Sequence, residues 1–211
     1  PKWMGRCPDC GEWNTLVETI VQEAAPGRPT ATAVMGGGAG PQPLPDIPAD
    51  GYERIPVPIG ELSRVLGGGI VPGSVVLISG DPGIGKSTLL LQLCDALARP
   101  EAGHAGEGPV LYVSGEESAA QIKLRAARLD IVSRDIQVLA ETHLESIATH
   151  IEQSAAKLVV VDSVQSIYSD AIASGAGSVS QVRDCSAHLL RLAKASGFPL
   201  FLVGHVTKEG A

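Results

Sequence analysis

The stretch Gly80–Thr88, reading GDPGIGKST, constrains this chain more than any other. Gly80, Gly85, Lys86 and Ser87 occupy the fixed positions of the G-x-x-x-x-G-K-[ST] template. The flanks suit it. Val75-Val76-Leu77-Ile78 upstream reads as a buried strand, and Leu89-Leu90-Leu91-Gln92-Leu93-Cys94 downstream as a helix too apolar to face water. Glycines let the backbone curl so that several N–H groups aim at one anion, and the helix N-terminus adds partial positive charge. Lys86 then sets a compact cation against the outer phosphates, and the Ser87 hydroxyl completes a Mg²⁺ shell. Gly80, Asp81, Pro82, Gly83, Ile84, Gly85, Lys86, Ser87 and Thr88 are therefore candidate ligands of a nucleoside triphosphate such as ATP. A chance Gly-rich turn is the competing reading, and the strand–loop–helix context argues against it. The chain reads as nucleotide-binding.

Beyond this loop, short apolar runs alternate with helical segments. Strands are expected at Pro109–Ser114, Ile136–Ala140, Lys157–Asp162 and Phe198–Gly204. Helices are expected at Glu117–Leu129, His143–Ala155 and Val179–Ser196, the last with an apolar stripe of Val182, Cys185, Leu189 and Leu192. This alternation predicts an α/β fold, with a mostly parallel sheet between helices. The strand runs are continuously apolar, as expected where both sheet faces are covered.

Three sites outside the loop carry chemistry. Leu158-Val159-Val160-Val161-Asp162 is an apolar strand ending in an acid, which places Asp162 to hold Mg²⁺ near the phosphates. Gly115-Glu116-Glu117-Ser118 follows the next strand after the phosphate loop. A carboxylate there could orient and deprotonate an attacking water. Glu117 also suits a helix start, where an acid complements the dipole, so Glu116 is the favoured base and geometry decides between them. His205, after the last strand, is either a sensor of the γ-phosphate or an ordinary solvated histidine. The segment Ser169–Ser178 is small and Gly-rich without lysine or arginine, and on composition alone it reads as a surface loop.

Residues 1–18 are compact and hold both tryptophans, Trp3 and Trp13, around the CPDCG knuckle of Cys7 and Cys10. A structural zinc takes four ligands, and the sequence offers one pair here. Half a zinc ribbon completed by an upstream pair, a redox pair and two idle thiols are the open readings. Residues 19–50 are dominated by Ala, Gly and Pro and read as a flexible linker, so that the ATP-binding core is expected over 51–211. Cys94 and Cys185 fall on apolar helix faces and read as buried free thiols. The formal charge of −7 argues against a generally basic nucleic-acid binder. No apolar run reaches the roughly 18 residues of a membrane span, and no secretory signal opens the sequence, so a cytoplasmic location is expected.

Taken together, KWMGRCPDCGEWNTLVE, ELSRVLGGGIVPGSVVLISGDPGIGKSTLLLQ, YVSGEES, VVVDSVQS and GHVTKEG resemble the RecA-like ATPases, and among them the bacterial RadA (Sms) recombination and repair family. The resemblance implies a RecA-like core behind a zinc ribbon, ATP hydrolysis, hexameric rings, binding of single-stranded or branched DNA, and branch migration alongside RecA. By position it implies Asp162 as the Mg²⁺ acid, Glu116 as the catalytic glutamate and His205 as the sensor, with Lys86 acting on the phosphates. It also places a DNA contact at the Gly-rich loop before Ser180; there Gly175 and Gly177 could let backbone N–H groups approach phosphates, with Arg183 at the start of the following helix adding charge. The family's first cysteine pair and its Lys-Asn-Arg-Phe-Gly motif are not in this sequence, so zinc at Cys7 and Cys10 needs an upstream pair. A nucleotide-gated switch that hydrolyses little, and a replicative-type helicase or clock-type ATPase, are the alternative functions on such a core.

Overall fold

The computed structural model describes residues 41–47, 53–98 and 108–205. They belong to a compact unit running from Gly40 to Ala211. Cys7, Cys10, both tryptophans, and residues 19–40 and 48–50 of the expected linker lie outside the described residues. Residues 41–47 are exposed and contain a 3-10 turn at Leu44–Asp46.

After a short helix α1 (Gly60–Val65), strands and helices alternate. They run β1 (Val75–Gly80), α2 (Lys86–Ala98), β2 (Val110–Ser114), α3 (Ala119–Arg128), β3 (Ile136–Ala140), α4 (Leu144–Ser154), β4 (Leu158–Asp162), α5 (Val179–Ser196) and β5 (Leu200–His205). The strands form one sheet in the order β1-β5-β4-β2-β3, with every pair parallel. The α/β expectation holds, and the predicted elements sit within a few residues of their bounds. Helix α3 starts at Ala119 rather than Glu117 because Ser118 caps it. The Ser118 hydroxyl accepts the Gln121 N–H while the Gln121 side chain accepts the Ser118 N–H at 2.8 Å.

Two apolar layers sandwich the sheet. On one face Leu90, Leu93, Cys94 and Leu97 of α2 and Ile122 of α3 pack on Val110, Tyr112, Leu158, Val160, Phe201 and Val203. On the other, Leu144, Ile147 and Ile151 of α4 and Cys185, Leu189 and Ala193 of α5 pack on Leu111, Val113, Val159, Val161, Leu200 and Leu202. The odd–even split along each strand is the period of two that a pleated strand imposes. Strands β2 and β4 are buried at every position, as their apolar runs predict. The edge strands depart from that expectation: β3 is exposed at Gln137, Val138 and Ala140, and Leu77 of β1 is 62% exposed. An apolar run reports on strand propensity and not on position in the sheet, so edges are invisible to it.

The buried stripe of α5 is Gln181, Cys185, Leu189 and Ala193, not the predicted Val182, Cys185, Leu189 and Leu192. Val182 and Leu192 flank it half-buried. Cys94 and Cys185 are free and buried, and burial pushes the Cys185 thiol up to about 11.

Candidate nucleotide site

The side of the sheet that places its residues beneath α2 also sets where the polar residues emerge. Continuing each strand by its period of two beyond Ile78, Tyr112, Val160 and Val203 brings Gly80, Ser114, Asp162 and His205 to the same face at the carboxyl ends. Strand register reinforces this, since Gly80 pairs with His205 and Ser114 with Asp162. The crevice outside the carboxyl ends of a parallel sheet is where such folds bind ligands. A cavity of about 300 Å³ lies there, lined by Pro82, Gly83, Gly85–Thr88, Ser114, Glu116, Glu117, Arg125, Asp162 and His205.

The loop between β1 and α2 has the geometry that its glycines predict. Gly83 and Gly85 have φ of 80° and 97°, a region that penalises any side chain. A Cβ at either would meet nothing within 4 Å, so the space beside them is open to a ligand. Lys86 is only 7% exposed. Its ammonium donates to the carbonyls of Gly80 at 2.8 Å and Asp81 at 2.9 Å, which are weaker partners than an anion would be. Gly80 and Asp81 thus serve through carbonyls that anchor Lys86, and Ile84 points outward at 64% exposure.

Across the cavity, Asp162 is 8% exposed and accepts a 2.5 Å hydrogen bond from the Tyr112 hydroxyl at Oδ2. Burial, then the charge of Asp162, pushes the Tyr112 hydroxyl far above its ordinary range, so it remains a donor. The two adjacent glutamates have separate partners. Glu117 forms an ion pair with Arg125, and its backbone N–H donates to the Ser114 hydroxyl at 3.0 Å. Glu116 accepts from the Ser163 hydroxyl, and its Oε1 lies 3.3 Å from Nε2 of His205. The peptide bond between Asp162 and Ser163 is cis. Gln165 joins this side of the site by donating to the His205 carbonyl at 3.3 Å.

This donor set fits a magnesium nucleotide. Open glycine backbone and the Lys86 ammonium suit phosphate oxygens, and Ser87 with the buried Asp162 carboxylate suits Mg²⁺, which binds through few protein oxygens and several waters. Of the expected site residues, the cavity brings together Pro82, Gly83, Gly85, Lys86, Ser87, Thr88, Glu116, Asp162 and His205, while Gly80, Asp81 and Ile84 do not line it. The structure adds Tyr112, Ser114, Arg125 and Ser163, which no motif singles out.

Gly115, between Ser114 and Glu116, has no room for a side chain. A Cβ there would sit 2.0 Å from Oγ and 2.7 Å from Cβ of Ser166, and 3.3 Å from Cγ2 of Thr142. The Ser166 hydroxyl could rotate away, but its Cβ could not. Gly115→Ala is therefore expected to destabilise the fold by about 1–3 kcal/mol through overpacking and to displace Glu116. Urea unfolding and single-turnover hydrolysis on one preparation check both effects.

The Gly-rich segment after Tyr168 is more organised than its composition suggests. Gln181, 1% exposed on the first turn of α5, accepts the Ser169 N–H at 3.0 Å. Its amide donates to the carbonyls of Ser169 at 3.0 Å, Ile172 at 3.2 Å and Ser174 at 2.8 Å. One side chain thus templates the loop. At its start the Ser169 hydroxyl donates to Glu145, and His143 Nε2 lies 3.2 Å from Glu145 and 3.3 Å from Asp170. Gln181→Ala would strip partners from one N–H and three carbonyls, an expected loss of about 2–3 kcal/mol. Limited proteolysis within 169–178 should accelerate, while magnesium-nucleotide binding persists.

Fold and site together define a P-loop protein with a RecA-like core. Comparison with known families agrees: the family described as "AAA domain" matches residues 41–211, and one described as "Rubredoxin metal binding domain" matches residues 1–18. The chain is 49% identical over 212 residues to the DNA repair protein RadA of Bacillus subtilis, with 100% of this chain and 45% of that protein covered. The RadA of Pseudomonas aeruginosa is 48% identical, again across 100% of this chain and 45% of its own length. This chain thus spans less than half of the curated relatives it matches. Among solved structures, a KaiC-like protein of Pyrococcus horikoshii superposes with a TM-score of 0.59 at 19% identity, covering 76% of this chain and 74% of that one. That likeness concerns the fold alone. The chain belongs to the AAA-domain family and, within it, to the RadA (Sms) type. No helix among the described residues is long and apolar enough to cross a membrane.

Proposed function

We propose that this chain is the ATP-hydrolysing core of a DNA-dependent motor in recombinational DNA repair. The observation that carries the ATPase reading is the convergence of Lys86, Ser87, Asp162 and Glu116 on one cavity at the carboxyl ends of the sheet. In this reading the loop backbone and Lys86 hold the phosphates, and Ser87 and Asp162 hold Mg²⁺. Glu116 takes the proton of the attacking water, and His205, joined to Glu116 at 3.3 Å, senses the γ-phosphate. When bound, the metal would neutralise charge on the phosphates.

The DNA role is supported by the names of the relatives, which are DNA repair proteins. The partners in this proposal are single-stranded or branched DNA, the RecA recombinase and further copies of the chain in a hexameric ring in the cytoplasm. The Gln181-templated loop with Gly175 and Gly177, and the exposed Arg183 beyond it, supply the DNA contact. Residues 1–18 form a zinc module through Cys7, Cys10 and an upstream cysteine pair, and residues 19–50 link it to the core at 51–211; the match of residues 1–18 to a metal-binding family supports the first part. Single-stranded DNA should accelerate ATP turnover by the intact protein. Turnover indifferent to DNA would instead favour a nucleotide-gated switch.

A further inference from the structure

Asp162 ends β4 with a carboxylate that has one soft, broadly two-fold torsion at its tip. A metal acid gains from having that torsion fixed beforehand, because each oxygen then faces one direction only. Among the described residues, the hydrogen-bond partner of this carboxylate is the Tyr112 hydroxyl, at 2.5 Å from Oδ2.

The contact is dictated by the sheet. Tyr112 pairs in parallel register with Val160, and Ser114 with Asp162, so all four side chains share the face beneath α2. The Tyr112 ring is buried in that layer, and its length carries the hydroxyl up the strand to the carboxyl end. A phenylalanine would fill the same space. The hydroxyl makes a charge-assisted bond, and such bonds are roughly twice as strong as neutral ones. Its hydrogen bond goes to Asp162, and the hydrogen bonds that join Glu116 to Ser163 and His205, and Glu117 to Arg125, do not include it.

We infer that Tyr112 is a positioning residue for the metal acid: its hydroxyl engages Oδ2 of Asp162 and leaves Oδ1 oriented toward the magnesium shell. This rests on the proposed role of Asp162 in holding Mg²⁺. Tyr112 touches neither nucleotide nor metal in this arrangement. Its effect passes through one carboxylate, and so it should appear in metal dependence and not in metal-free binding.

The test is a titration of the full-length protein with a fluorescent ATP analogue, with Mg²⁺ and with chelator, for the parent, Tyr112→Phe and Asp162→Asn. For Tyr112→Phe the metal-free affinity should match the parent, while the gain in affinity conferred by Mg²⁺ falls roughly tenfold. Thermal melts give a second readout: the stabilisation by Mg²⁺ with ATP should shrink more than that by ATP alone. A purely structural hydroxyl would lower both melts equally. If Asp162→Asn abolishes the magnesium gain and Tyr112→Phe keeps it in full, Tyr112 is core packing and the inference is overturned. If Asp162→Asn itself keeps the gain, the metal role of Asp162 fails, and the inference falls with it.

Discussion

Lys86→Ala is expected to weaken nucleotide binding by about 10–100-fold, the loss that follows from removing a charge-assisted hydrogen bond. Turnover should fall by a further 10²–10³ or so, because the same cation meets the charge that develops on the transferring phosphoryl group. The fold should survive. Lys86 is 7% exposed and its ammonium is bonded to the carbonyls of Gly80 and Asp81, so its removal frees two acceptors but also relieves the cost of burying a cation. These terms oppose each other, and the stability change should stay within about 1 kcal/mol. Titration with a fluorescent ATP analogue beside far-UV circular dichroism separates the two effects. An unchanged affinity and turnover in a folded variant would refute the phosphate-loop assignment.

The placement of Lys86 is legible in the sequence because it is set locally: template, strand and helix lie within one short stretch. Asp162 was legible for a related reason, since an acid at the end of an apolar run marks the carboxyl end of a strand. What stayed hidden depends on which strands become neighbours. Tyr112 reaches Asp162 only because β2 and β4 pair, whereas Arg125 meets Glu117 locally, eight residues along the chain at the start of α3. Gln181 was hidden differently. It occupies the buried stripe of α5, where an apolar residue was expected, because its amide satisfies four backbone groups of a loop that lacks an apolar core of its own. A buried glutamine in register with Cys185 and Leu189 was the available signal, and a scan for apolar residues passes over it. The exposed flanks of β1 and β3 belong to the same class, since periodicity carries no information about sheet order.

The choice between Glu116 and Glu117 turns on what each carboxylate is already doing. Glu117 is committed to Arg125 in a part-buried ion pair at the start of α3, which ties it to one geometry. Glu116 meets the Ser163 hydroxyl and His205 through the same oxygen, Oε1, leaving Oε2 to receive a proton. Ser163 follows Asp162 directly, so this bond fixes Glu116 relative to Asp162. Glu116→Gln keeps shape and hydrogen bonding but cannot accept the proton of an attacking water. Single-turnover hydrolysis should therefore slow by about 10²–10⁴ while Mg·ATP affinity is little changed. Glu117→Gln loses the charge opposite Arg125, so its main cost should be stability, of order 1 kcal/mol for a part-exposed pair, with a milder effect on rate. Arg125→Ala should reproduce that stability loss without the large rate defect, which ties the Glu117 phenotype to the pair. If Glu117→Gln proves the slower enzyme in single turnover, the base is Glu117, and the Arg125 pair must open in the nucleotide complex.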